Sequence, residues 1–155
     1  MPTILTPPEI RGVIQEANVA TLDVDLLDDL YALPSEIWLR EVFFTNLKFV
    51  QDQLGVYTYE ETVNDCDDFG RFCSAYARLL HARTKERPPG TALAVGDMCY
   101  YSVAPSVTDS GRKHYINLAI CKVDDKLVVL FIEPQLPGFV KLTPEQLENV
   151  VYVRI

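Results

Sequence analysis

The chain has 155 residues, enough for one domain with a core of its own. Apolar residues make up 48% and charged residues 23%, the profile of an ordinary soluble globular protein. A net charge of −8 repels phosphate backbones, which argues against nucleic acid and favours a basic substrate or a bound cation.

In chain order, Thr6-Pro7-Pro8-Glu9 has the form of a capping box with proline at the first helical position, and a short helix through Ile10, Val13, Ile14 and Ala17 is expected after it. The acidic, Leu-rich TLDVDLLDDLYALP reads as a short helix or a turn ended by Pro34. Ser35 caps a longer predicted helix, SEIWLREVFFTNLKFVQDQL. Its core stripe would comprise Trp38, Leu39, Val42, Phe43, Leu47, Phe49, Val50 and Leu54, with Gly55 as the glycine past its end. VYTYEETV reads as a connector. A second helix is expected from Cys66 to about Ala82, burying Phe69, Phe72, Cys73, Tyr76, Leu79 and Leu80. Trp38 is expected in the core, with a place in the cleft lining as the alternative.

The second half reads as β. ALAVGDMCYYSV suggests a strand pair or one bent strand, SVTDSGRK a turn, HYINLAICKV and KLVVLFIE a hairpin around Asp124-Asp125, and VVYVRI a terminal strand. Helices followed by strands indicate an α+β fold, with N-terminal helices packed against an antiparallel sheet. The sequence shows no repeat, no domain linker, no signal peptide and no membrane-length apolar run. A single domain in the cytoplasm, with no membrane partner, is the default expectation.

The four cysteines, Cys66, Cys73, Cys99 and Cys121, form no CxxC pair, and the two histidines, His81 and His114, give no zinc spacing. Reduced thiols are expected. Cys73, Cys99 and Cys121 read as small buried apolar residues. Cys66 stands in NDCDDF, among Asp65, Asp67 and Asp68. Asp65 or Asn64 would cap the helix that Cys66 begins, placing the thiol at the positive end of the dipole. That position lowers a thiol pKa from about 8.5 toward neutrality and offers backbone N–H groups to an oxyanion.

A cysteine nucleophile needs a base, and the base an orienting group. His114 is the histidine of the β half. If Val123 pairs with Lys126 across the turn, His114 faces Gln135 and lies diagonal to Glu133, all three on one face of the sheet. Glu133 is an unusual ending for the apolar LVVLFIE and needs a partner. Gln135 is the rival for the orienting role, or an oxyanion contributor. His81, at a helix C-terminus, is accounted for by the dipole. Tyr57 and Tyr59 would border a substrate groove.

The DCDDF helix start, the strand opening His114-Tyr115-Ile116-Asn117 and the strand end Phe131-Ile132-Glu133-Pro134-Gln135 together resemble the papain-like cysteine peptidase domain at the C-terminus of mushroom agglutinins of the Marasmius oreades lectin type. The likeness covers roughly residues 60–140. Transglutaminase-like cysteine proteinases with a D-C-E-D-Y-type motif are more distantly similar. The resemblance implies Cys66 as nucleophile, His114 as base and Glu133 as third member, acting on a protein or peptide substrate, and it extends to a homodimer. Both groups include calcium-dependent enzymes. Three carboxylates around a thiol oppose its ionisation unless a cation neutralises them, so calcium or a similar hard ion at Asp67 or Asp68, alone or with Glu133, is the expected activator. The agglutinins carry a β-trefoil sugar-binding domain ahead of this one. The present chain is expected to leave no room for it, so glycan binding is not carried over. Three other readings stay open: a transglutaminase-like acyltransferase, a non-catalytic binding or assembly module, and a peptidoglycan-cleaving relative.

Overall fold

The computed structural model describes residues 3–55, 65–85 and 87–155. The connector VYTYEETV, with Tyr57, Tyr59 and the alternative cap Asn64, lies outside them.

Nine strands and four α-helices are found among the described residues. Strands β1 (Ile4–Leu5), β3 (Tyr31–Ala32) and β4 (Ala92–Leu93) form a small sheet in the order β1-β3-β4. The main sheet joins β2 (Val24–Asp25), β5 (Val95–Val103), β6 (Arg112–Val123), β7 (Lys126–Glu133), β8 (Gly138–Val140) and β9 (Val150–Arg154) in the order β2-β9-β5-β6-β7-β8. All its pairings are antiparallel except β2 with β9. The fold is α+β, as the sequence indicates.

Alternation along β6 divides the core. Ile116, Leu118 and Ile120 pack on one face with Ile10, Val13 and Ile14 of helix α1 (Pro7–Glu16). Ala119 and Cys121 pack on the other with Leu39, Phe43 and Leu47, and with Cys73 and Ala77 of helix α3 (Cys66–Arg83). The Thr6 N–H and hydroxyl both donate to the Glu9 carboxylate at 2.7 Å, closing the predicted box.

The expected hairpin register holds. Val123 pairs with Lys126 and Asn117 with Ile132. Asp124 (φ 46°) and Asp125 (φ 64°) both take the left-handed conformation that a two-residue turn of matching twist demands.

Several expectations are corrected. TLDVDLLDDLYALP forms neither a helix nor a simple turn but the strands β2 and β3, because Val24 pairs with Val153 and Tyr31 with Leu5 and Ala92. The Ser35 helix begins with a π-helical segment, Trp38–Phe43, before α2 (Phe44–Leu54). This wider turn rotates the buried face, so Phe44 and Gln51 go in while Val42, Phe49 and Leu54 stay exposed. In α3 the buried line is Phe69, Gly70, Cys73, Ser74 and Ala77, and Leu79 is exposed. The close approach of α3 to β6 turns the helix about its axis toward its small residues. Strand β8 and helix α4 (Pro144–Glu148) are additions to the expected elements, and α4 opens with a capping box, Thr143-Pro144-Glu145-Gln146, of the same form as that at Thr6.

Candidate functional site

Helix α3 starts as its sequence dictates. Asp65, in extended conformation, accepts the N–H of Asp67 at 3.3 Å, and Cys66 opens the first turn. Cys73, Cys99 and Cys121 are buried, and Cys66 is half-exposed. Burial pushes the Cys66 thiol up from its ordinary pKa, and the charges of Asp65 and Asp67 add to this. The Tyr115 N–H, donating toward the sulfur, offsets part of the rise. The expected lowering is therefore reversed. A helix terminus contributes about 0.3 to 1 kcal/mol, which burial and two adjacent carboxylates outweigh.

His114 sits near the start of β6 and Glu133 at the end of β7. His114 Nε2 and Glu133 Oε2 are 3.1 Å apart, and Glu133 Oε1 accepts the Gln135 N–H at 3.1 Å. Both carboxylate oxygens are thus engaged, which explains a charged residue at the end of an apolar strand. The contact to the imidazole comes from Glu133, and Gln135 contributes its backbone. A carboxylate only accepts, so Nε2 carries the proton and Nδ1 is left as the basic nitrogen.

His114 lies against Tyr100 on the Ile116 side of β6, the body of α3 packs on the Ala119 side, and at the strand end the charge of Glu133 reaches both Tyr100 and Cys73 of α3. Cys66 meets β6 at the backbone of Tyr115, the residue after His114. Among the described residues no hydrogen bond joins the Cys66 thiol to His114. Tyr100 pairs with His114 in the β5–β6 ladder and is within electrostatic reach of both Glu133 and Cys66. Its ring lies edge-on to the imidazole, with centroids 5.7 Å apart, and burial together with the charges of Glu133 and Cys66 raises its hydroxyl pKa. Sequence reasoning missed Tyr100; the signal was its position across the ladder from His114.

Asn117 was also missed. It is fully buried, and its two Nδ2 hydrogens are shared among Gly70 O at 2.9 Å, Ser74 Oγ at 2.8 Å and Gly96 O at 2.9 Å. These bonds tie α3 to β5 and β6 just behind Cys66. A lone Asn inside the apolar run INLAICKV was the available sign.

Ligand oxygens of Asp65, Asp67 and Asp68 lie within 4.8 Å of one another, and Glu133 is outside this group. A side-chain hydrogen bond between Asp65 and Asp67 holds the Asp65 pKa down and pushes that of Asp67 up. Arg71 pairs with Asp67 at 2.6 Å and already neutralises part of the charge. The donor set is all oxygen, which fits a hard cation that competes with Arg71 for Asp67. No described helix is long and apolar enough to cross a membrane.

No protein-family profile matches the sequence, and no curated protein matches it. Solved structures do match in fold. PSL1a in complex with E64 superposes with a TM-score of 0.67 at 14% identity, over 98% of this chain and 51% of that one. Polyporus squamosus lectin, bound to the human-type influenza-binding epitope Neu5Aca2-6Galb1-4GlcNAc, superposes with a TM-score of 0.69 at 16% identity, over 98% of this chain and 49% of the lectin. The chain therefore spans about half the length of these neighbours and shares their fold across that span.

Proposed function

We propose that this domain is a cysteine peptidase in which Cys66, His114 and Glu133 hydrolyse peptide bonds. The observation that carries the reading is the His114–Glu133 contact at 3.1 Å, on a strand whose next residue, Tyr115, meets the cysteine that opens a capped helix. A neighbour of the same fold, PSL1a, is found in complex with E64, a papain-like cysteine protease inhibitor, which supports the same chemistry here.

In this reading Cys66 Sγ attacks the scissile carbonyl carbon and its proton passes to His114 Nδ1. The Cys66 N–H, at the helix start, donates to the developing oxyanion. The C–N bond breaks as His114 returns the proton to the leaving amine. Water, deprotonated by His114, then cleaves the thioester and restores the thiol. Glu133 holds the imidazole tautomer, and the Gln135 N–H holds Glu133. The reading requires Cys66 and His114 to come into hydrogen-bond reach when substrate is bound. With an amine in place of water the same residues would transfer the acyl group.

Asp65, Asp67 and Asp68 would hold a calcium ion, whose charge favours the thiolate by offsetting Asp65 and Asp67. The substrate is a protein or peptide, and a homodimer is the proposed assembly.

A specific observation favours a second reading. The raised thiol pKa and the lack of a described Cys66–His114 hydrogen bond suit a binding or assembly module that kept the scaffold. Incubation with E64 in millimolar calcium, followed by mass mapping, separates the two. The peptidase reading expects an adduct on Cys66 that slows sharply in His114→Ala, together with peptide cleavage lost in Cys66→Ala. An unmodified Cys66 with no cleavage of a mixed peptide library supports the module.

A further inference from the structure

At the far end of α3 lies a cavity of about 320 Å3. It belongs to a different part of the molecule from Cys66. His81, on its wall, is fifteen residues further along the helix, about 22 Å by the rise of an α-helix. The volume lies in the range of small-molecule sites.

The lining has two characters. Trp38, Pro34, Pro88 and Leu93 supply flat apolar walls, and His81 and Arg87 supply the polar ones. Trp38 is the chain's single tryptophan; its ring stacks on Phe43 at 5.7 Å, nearly parallel. It opens the π-helical segment, a distortion that in helices frequently marks a functional site. His81 Nε2 is buried with no close hydrogen-bond partner among the described residues, although the Thr91 backbone lies near enough to the imidazole to act on it. Leaving such an atom unpaired costs about 1 to 3 kcal/mol. Arg87 donates to the Thr91 carbonyl at 3.4 Å and makes no ion pair among the described residues. In a chain of net charge −8, a guanidinium and an imidazole converging on an apolar cavity stand out.

The geometry points to a binding site for a small organic anion with a planar apolar body, an aromatic carboxylate in chemical class. The carboxylate is held by Arg87 and His81, and the ring lies among Trp38 and the two prolines. A guanidinium suits a carboxylate through two parallel hydrogen bonds. A rigid apolar slot suits a flat ring. The ligand bears no relation to the peptide bond proposed for Cys66, so binding does not depend on that chemistry.

Benzoate is the probe and Trp38 fluorescence the first readout, with saturation-transfer NMR on benzoate as the second. The expected result is a saturable change in the millimolar range, with benzyl alcohol binding about tenfold or more weakly. Arg87→Gln, an exposed substitution, should weaken benzoate by a similar factor at unchanged circular dichroism. Cys66→Ala should bind benzoate as the parent does. Silence in both readouts, equal binding of benzyl alcohol, or full affinity in Arg87→Gln would each overturn the assignment.

Discussion

The imidazole of His114 and the carboxylate of Glu133 meet at 3.1 Å between two strands of one hairpin, on the diagonal that the register dictates. The Gln135 N–H occupies the other Glu133 oxygen, so the carboxylate is fixed from both sides. Glu133→Ala should slow peptide turnover on the order of 10²-fold, and Glu133→Gln nearly as much, because an amide can present the wrong group to Nε2. Gln135→Ala keeps its N–H and should change turnover little. Steady-state kinetics on the three variants checks this; a larger loss for Gln135→Ala would transfer the orienting role to its side chain.

The thiol of Cys66 is raised by burial and by Asp65 and Asp67. Its thiolate therefore accumulates only above the ordinary range, and removing a negative neighbour must shift the transition to lower pH. Asp67→Asn should also free Arg71 to act on the sulfur, since the two are paired at 2.6 Å. The expected outcome is faster alkylation of Cys66 at neutral pH in the absence of metal, measured with iodoacetamide. An unchanged rate would mean that burial alone sets the thiol.

Asn117 bonds to three acceptors on α3 and β5. Asn117→Ala removes this shared donor, although Ser74 Oγ still donates to Gly70 O, and should cost about 1 to 3 kcal/mol of stability, read from urea unfolding. Gly96 has a separate constraint, since a Cβ there would lie 1.8 Å from Arg154 O. Gly96→Ala should separate β5 from β9 and lower the urea midpoint further than Asn117→Ala does.

Much of this was legible because it is local. The Thr6 box, the Asp65 cap, the Gly55 terminus (φ 68°) and the Asp124-Asp125 turn each need only a few neighbouring residues. The hairpin then carries that local information over twenty residues, and this is how His114 and Glu133 could be paired by counting. What could not be counted was non-local. Val24 and Tyr31 become strands only because β9, β1 and β4 are there to pair with them. The π-helical turn moved the buried face of α2, and the small residues Gly70 and Ser74 decided which side of α3 faces the sheet. The thiol was misjudged for the same reason. Its helix position is written in sequence, but its burial against Tyr115 is not.

The most direct test of the account is the pH–rate profile of Cys66 alkylation in EDTA and in millimolar calcium, for the parent and His114→Ala. In EDTA the apparent pKa should lie above the ordinary value of about 8.5. Calcium should bring it below that value in the parent, and His114→Ala should abolish most of this fall. A profile at or above about 8.5 in both conditions, insensitive to His114, would contradict a catalytic Cys66. The domain would then be a binding module with a capped helix where a nucleophile was proposed.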